Sequence, residues 1–321
     1  MPTKASTSAA PPVRPGRPVP GDGAADAHTI ATLREGDAVD AIFACVRKER
    51  LMTRSGAPYL AVELRDRSGS VPARVFRDAD LLAGRFERGE LVRVRGSVER
   101  FRDEHQIAVD QIARVEVGEE EAARFLPVSH RDLDELEGFF EHLAREVYDP
   151  GFKALLGGLL AEQELRAELR RAPCSLPSAG ASRPSSAHHA FIGGLLEHTV
   201  AVAQMAVELC AIHPRLDRDL LLCAALAHDI GKTREYAYGA EIARTEEGRM
   251  LGHVELGLRV MAPHIPSTLA PERRLALEHC VLAHHGGEGA QRPASPEALA
   301  LQRLNTLDAG VKGAFEQGLG R

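Results

Sequence analysis

Between residues 29 and 118, apolar and polar positions alternate in short runs. Val39 to Val46, Tyr59 to Leu64, Val71 to Phe76, Leu91 to Val98 and Gln106 to Val115 each read as a strand, because successive side chains of extended backbone point to opposite faces. Asp66-Arg67-Ser68-Gly69 supplies a turn between the second and third runs, and residues 77–88 leave room for a short helix. Five strands with a helix after the third fit a small Greek-key barrel of the OB type. From residue 119 the period becomes helical. Asp132 to Tyr148, with Phe139, Phe140, Leu143 and Val147 on one stripe, and Gly151 to Leu169 predict a connecting helical segment. Beyond residue 188 helices dominate: Gly193 to Ile212, Leu220 to Asp229, His253 to Met261, Pro271 to Ala283 and Pro296 to Val311, with no convincing strand run among them. Leu220 to Ala227 lacks β-branched residues, so it reads as a buried helix with Asp219 as N-cap and Gly231 as its stop.

These runs predict a multidomain β + α chain, an N-terminal OB-fold barrel followed by an all-α domain. Residues 1–27 form a Pro/Ala-rich tail that lacks the apolar surface to offset ordering entropy. The barrel takes 28–118, a helical connector 119–172, a flexible Pro/Ser/Ala loop 173–187 and the helical domain 188–315.

Composition narrows the partners. A net charge of −6 excludes a globally basic nucleic-acid binder and leaves local patches open. Tryptophan is absent and aromatics are few, so Leu, Val, Ala and Ile must build the core. Cys45, Cys174, Cys210, Cys223 and Cys280 are scattered, with no CxxC pair, which favours reduced structural thiols in a cytoplasm over disulfides or a zinc ribbon. No apolar run approaches the length of a membrane span, and the N-terminus lacks a signal-peptide core, so no membrane partner is expected.

Local charge in the barrel segment points to a nucleic acid. The expected loop after strand one carries Arg47, Lys48, Arg50 and Arg54 against Glu49 alone, and in OB folds that loop borders the strand-binding groove. Arg93 and Arg95 alternate with Val92 and Val94, so both leave one face of a strand, and Arg74 is a candidate to join them. Tyr59, Phe76 and Phe101 either stack bases or fill the barrel.

The helical half carries the chemistry. Ten of the fourteen histidines fall between His188 and His285. His198 lies one turn from Leu195 and Val202 on an apolar helix and should face inward. His228 and Asp229 stand at the end of the next helix, His253 opens another after Gly252, and His284-His285 end a fourth. A lone inward histidine is usually a satisfied core residue. Several at helix ends, each costing about 1–3 kcal/mol if buried unpaired, are better explained by a shared metal ion.

The segments HHAFIGGLLEHT, LAHDIGK, EEGRMLGH, VLAHHG and LNTLDA, in that order, resemble the HD superfamily of metal-dependent phosphohydrolases. GAPYLAVELRDRSGSVPARVF followed by GELVRVRGSVERF resembles the tRNA-anticodon-type OB family, and the two halves together look like the YhaM family of 3′→5′ exoribonucleases. The resemblance implies His198, His228 and Asp229 as ligands of a first ion. Asp229 would bridge to a second ion held by His253 and His284, with His285 as neighbour or replacement. Lys232 would lie near the scissile phosphate, its other role being a solvated helix-end cation. His188 and His189 would contact substrate or orient the ligands. Asn305 stands where the family's last carboxylate ligand is expected, and Asp308, three residues on, is the candidate substitute.

The implied activity is metal-dependent 3′→5′ hydrolysis of single-stranded RNA, with DNA a second candidate substrate, Mn²⁺ the first candidate ion, and Co²⁺, Fe²⁺ and Ni²⁺ the others. A homo-oligomer stands open. The competing expectations are an HD phosphohydrolase of nucleotides or cyclic dinucleotides, and a nucleic-acid-binding protein whose HD half is inactivated by Asn305.

Overall fold

The computed structural model describes residues 29–102, 104–118, 121–122, 124–176, 188–286 and 291–316. The expected tail over 1–27 and most of the expected loop over 173–187 lie outside the described residues.

Five strands, β1 (Ala38–Met52), β2 (Pro58–Asp66), β3 (Gly69–Val75), β4 (Leu91–Phe101) and β5 (Glu104–Arg114), close into a barrel in the order β1-β2-β3-β5-β4. All neighbours are antiparallel except β3 and β5, and β1 closes the ring against β4. The short helix α1 (Ala79–Ala83) follows β3, as the alternation implied. Phe43, Leu60, Leu64, Val92, Val94 and Ile107 fill the interior, so the period-2 reading identifies the inward faces.

One expectation fails here. β1 runs on to Met52, so Arg47, Lys48 and Arg50 lie on a strand and only Arg54 lies in the turn. A bulge between Cys45 and Arg47 shifts the register, and the chain beyond it stays extended because it pairs with β2, Lys48 opposite Val62 and Arg50 opposite Leu60. Cross-strand hydrogen bonding, not alternation of apolar residues, makes this stretch a strand, and the sequence pattern therefore hides it.

The helical half comprises α2 (Leu133–Arg145), α3 (Pro150–Ala161), α4 (Gln163–Arg171), α5 (Gly194–Ile212), α6 (Arg218–Ala227), α7 (Lys232–Glu235), α8 (Glu246–Met261), α9 (Pro271–Ala283) and α10 (Pro296–Glu316). Residues 151–169 do not form one helix: extended backbone at Glu162 (φ −82°, ψ 105°) separates α3 from α4. A small hairpin of β6 (Tyr236–Tyr238) and β7 (Ile242–Arg244) interrupts the helices where none was expected. α5 is the central element and packs against α2, α4, α6 and α10. By length and composition it is apolar enough to cross a membrane, contrary to the expectation that no run is, and much of it is buried in the core of this domain.

The start of α6 corrects a second expectation. Its N-cap is Asp217, whose carboxylate accepts from the Leu220 amide at 3.0 Å. Asp219 instead accepts from the amides of Tyr148 and Asp149, at 3.1 and 2.6 Å, and so ties the α2–α3 connection to α6. Burial raises the Asp217 carboxyl pKa, but the Arg273 guanidinium and the cap amide outweigh it and hold it below the usual range. Because the folded pKa is depressed, the stabilisation is present above the unfolded carboxylate pKa and is lost as pH falls through the folded value. Asp217→Ala is expected to lower stability by about 1–2 kcal/mol, measured by chemical denaturation at neutral pH, with a smaller difference in acid.

The barrel is seated on the helical domain. Ala44, Leu91, Ala122 and Ala240 form a small shared apolar cluster. Arg65 donates to the Ala240 carbonyl at 2.9 Å, and Arg88 lies 3.6 Å from Glu241. Ala240 and Glu241 form the turn of the β6–β7 hairpin, and α7, which leads into β6, ends on Glu235.

Candidate metal centre

Four helix ends converge on the Asp229 carboxylate, which is almost completely buried. His253 Nε2 and His284 Nε2 each lie 3.4 Å from its Oδ1. His228 Nε2 and His198 Nε2 lie 3.4 and 3.6 Å from its Oδ2. His285 joins the Oδ1 side, its Nε2 2.6 Å from His253 Nε2. One carboxylate thus faces a set of ring nitrogens on each of its oxygens.

The opposite ring nitrogens explain this orientation. His228 Nδ1 is 2.9 Å from the Ala225 carbonyl and His284 Nδ1 2.6 Å from the Val281 carbonyl, each three residues back in its own helix. His198 Nδ1 is 2.6 Å from Asp308 Oδ2, and His253 Nδ1 faces Glu235 Oε2 at 3.3 Å. An acceptor at Nδ1 places the ring proton there and leaves the Nε2 lone pair for the centre. Burial, only partly offset by nearby carboxylates, lowers the pKa of His198 and His284 to about 4, so both rings are neutral and able to donate at neutral pH.

Without a cation the arrangement is costly. Asp229 Oδ1 and His284 Nε2 are buried with no hydrogen-bond partner, and lone pairs of facing imidazoles repel. Burial raises the Asp229 pKa, yet Lys232 and His228 outweigh it and hold the group well below the carboxylate range. A carboxylate ionised in this way among imidazole nitrogens suits divalent metal ions, and two donor groups exist: Asp229 with His253, His284 and His285, and Asp229 with His198 and His228.

Close approach of backbone sets the second group. α8 is kinked at Gly252, where φ is +72°, and its helical turn restarts at His253, as the sequence indicated. Gly231 is not the left-handed helix stop expected; its φ is −66°. Its role is contact, since a Cβ there would sit 2.0 Å from the His253 carbonyl oxygen and 2.3 Å from the Gly257 nitrogen.

The remaining candidates take other positions. Lys232 is buried at 5% exposure, with Nζ 2.6 Å from Asp229 Oδ2, so the role of a solvated cation is excluded. Asp308 stays outside the groups built on Asp229 and binds His189 Nε2 at 2.9 Å as well as His198. Asn305 is buried and donates to the His284 carbonyl at 3.4 Å. His189 is buried with left-handed backbone (φ +49°), and His188 Nε2 lies 3.3 Å from Cys174 Sγ. Sequence reasoning missed Glu235 and Cys174. Glu235 was legible as the third term of His228-Asp229, Lys232, Glu235 at helical spacing; Cys174 carried no such signal.

The barrel's basic residues do not form one patch. Arg93 and Arg95 do share an outer face of β4, and both bind Asp40, at 2.7 and 2.9 Å. Arg47 pairs with Glu49 and Arg50 with Asp80. Lys48 turns toward α1, donating to the Ala83 and Phe86 carbonyls and to Glu87. Arg74 lies on β3, away from β4, and with Arg47, Leu51 and Ala61 lines a groove on the outer face of β1, β2 and β3. The aromatics do not fill the barrel: Phe76 and Phe101 are each 55% exposed, and Phe76 stacks on Tyr59 with centroids 5.5 Å apart.

Comparison with known proteins places both halves. Residues 195–310 match the HD domain, and residues 42–115 match an OB-fold nucleic acid binding domain of the tRNA anticodon type. The chain is 26% identical over 288 residues to the 3′-5′ exoribonuclease YhaM of Halalkalibacterium halodurans, covering 87% of this chain and 86% of that protein. It is 27% identical over 289 residues to the YhaM of Oceanobacillus iheyensis, with the same two coverages. Against the YhaM of Bacillus subtilis it is 26% identical over 281 residues, covering 85% of each. The chain is a homologue of the YhaM proteins, with an OB-fold nucleic acid binding domain followed by an HD domain.

Proposed function

We propose that this chain is a metal-dependent 3′→5′ exonuclease of single-stranded RNA, with DNA the second substrate to assay. The observation that carries the proposal is the ionised, buried Asp229 carboxylate with imidazole Nε2 atoms facing both of its oxygens. In this reading His198, His228 and Asp229 hold one divalent ion, and Asp229, His253, His284 and His285 hold the other. Divalent ions bound there acidify a water and offset the charge on the phosphodiester. Mn²⁺ is the first ion to assay, followed by Co²⁺, Fe²⁺ and Ni²⁺. The polarity and the RNA preference come from the YhaM relatives, which bear the name 3′-5′ exoribonuclease.

The protein groups divide the remaining work. Asp308 and Glu235 orient His198 and His253. Lys232 holds Asp229 in place and keeps it ionised. His188 and His189 pack against the His198 ring. Asn305 donates to the His284 carbonyl at 3.4 Å, and RNA bound without cleavage in the assay below would favour the reading of an inactive HD half. In this division residues 28–118 grip the strand and 188–315 cut it.

We place the strand on the β1–β2–β3 face, where Arg47 and Arg74 border the groove and Tyr59 and Phe76 offer an exposed stack. Phe76→Ala is expected to weaken single-stranded RNA binding by about 1–3 kcal/mol with unchanged thermal stability, measured by fluorescence anisotropy and melting.

The proposal is tested with the purified protein, Mn²⁺ and 5′-labelled single-stranded RNA. Stepwise shortening that a 3′-terminal block prevents is the expected result. Hydrolysis of mononucleotides or cyclic dinucleotides with intact RNA would favour the phosphohydrolase reading instead.

A further inference from the structure

Cys174 differs from the other four cysteines in its surroundings. Cys210, Cys223 and Cys280 belong to the apolar core of the helical domain and Cys45 to that of the barrel. Cys174 is 1% exposed, yet its Sγ faces polar groups: His188 Nε2 at 3.3 Å, Lys232 Nζ at 3.3 Å and Asp229 Oδ2 at 3.8 Å. The donor atoms of Cys174, His188 and His198 all lie within 4.8 Å of one another.

The backbone holds this thiol in place. The Cys174 amide donates to the His189 carbonyl at 3.0 Å. The Ser175 hydroxyl accepts from the His188 amide at 3.0 Å and donates to the His188 carbonyl at 2.9 Å. Residues on both sides of 177–187 are thereby laced together beside Asp229.

Charge gives the thiol a use. On the Oδ2 side the nitrogen donors are imidazoles, which bring no negative charge to an ion, and Asp229 shares its single negative charge with Lys232. Among the described residues no second carboxylate joins the donor groups built on Asp229. A divalent ion there lacks the anionic balance that a thiolate would supply. The S–H bond breaks as the S–metal bond forms, and the proton leaves to solvent.

We propose that Cys174, with His188 beside it, is a ligand of the ion on the Oδ2 side of Asp229, making this a mixed Cys/His/Asp site. Such a site selects thiophilic borderline ions, zinc, cobalt or iron(II), over manganese, while the Oδ1 side keeps only nitrogen and oxygen donors. The inference rests on the metal-centre reading above and refines it for one ion.

Cobalt(II) reads the ligand directly. Metal-free full-length protein is titrated with Co²⁺, and absorption and bound cobalt are both recorded. The expected result is a near-ultraviolet thiolate-to-cobalt charge-transfer band that Cys174→Ser abolishes while the weaker d–d bands persist. Zinc affinity should fall by about tenfold or more in Cys174→Ser and less in His188→Gln. Cobalt bound by the unaltered protein without the charge-transfer band overturns the assignment and leaves the metal centre standing. A band that survives in Cys174→Ser overturns it too. Absence of bound cobalt in the unaltered protein overturns both. The unaltered protein alone decides the first and last outcomes, so they do not depend on how the variant folds.

Discussion

Replacing Asp229 with asparagine is expected to strip the protein of bound metal and to slow hydrolysis of single-stranded RNA by about a thousandfold, roughly 4 kcal/mol of barrier, with RNA affinity unchanged. Asparagine keeps the shape of the side chain but presents one oxygen and no charge to nitrogen donors that now face both carboxylate oxygens. The barrel groove lies on a different domain, so binding and cutting should separate cleanly. Bound metal by mass spectrometry, single-turnover hydrolysis and anisotropy measure the three quantities. A variant that retains metal and turnover would remove Asp229 from the chemistry. The substitution also strands Lys232, buried at 5% exposure, without its counter-ion. Losing one partner of a buried pair costs about 3–5 kcal/mol, so a lower melting temperature is expected as well. Adding Lys232→Met should recover much of that stability without restoring metal, which distinguishes a lost ligand from a damaged fold.

Gly231→Ala is expected to be nearly as harmful, by geometry instead of chemistry. The added Cβ meets the His253 carbonyl oxygen at 2.0 Å and the Gly257 nitrogen at 2.3 Å, and neither backbone atom can rotate aside. The turn after Asp229 must move away from α8, which carries His253 out of reach of Asp229 Oδ1. Overpacking of this kind costs about 1–3 kcal/mol, and bound metal should fall by about half as the Oδ1 group is opened. Gly257→Ala is the control from the facing helix. Its Cβ would lie 3.4 Å from the Gly231 nitrogen, an ordinary contact, so metal content should stay near that of the unaltered protein. Equal behaviour of the two variants would show that the close approach does not position His253.

Much of this was legible because it is written in local periodicity. Alternation in Val92-Arg93-Val94-Arg95 gave the inward and outward faces of β4, and the apolar run from Leu220 gave a buried α6. His198 was placed inward from the helical spacing of its neighbours, and its side chain is buried. What stayed hidden was decided by contacts distant in sequence. Either Asp217 or Asp219 satisfies a capping rule, and only the position of the Tyr148 and Asp149 amides assigns their roles. Gly231 looked like a helix stop because its neighbour across the fold, the His253–Gly257 backbone, is invisible in sequence. Cys174 looked like another buried thiol because Asp229 lies fifty-five residues away. Arg93 and Arg95 looked free because Asp40, their shared partner, is on another strand.

The seat of the barrel on the β6–β7 turn has a consequence for the products. Ala240 and Glu241 meet the barrel, while Glu235, a few residues earlier, stands behind His253. In the reading proposed above, this hairpin and the helix leading into it would set the gap between the groove that holds a strand and the centre that cuts it. In a protein that trims strands from one end, a gap of constant length works as a ruler. On that reading, trimming is expected to slow once the remnant is too short to bridge the gap, leaving a limit oligonucleotide whose size would report the distance.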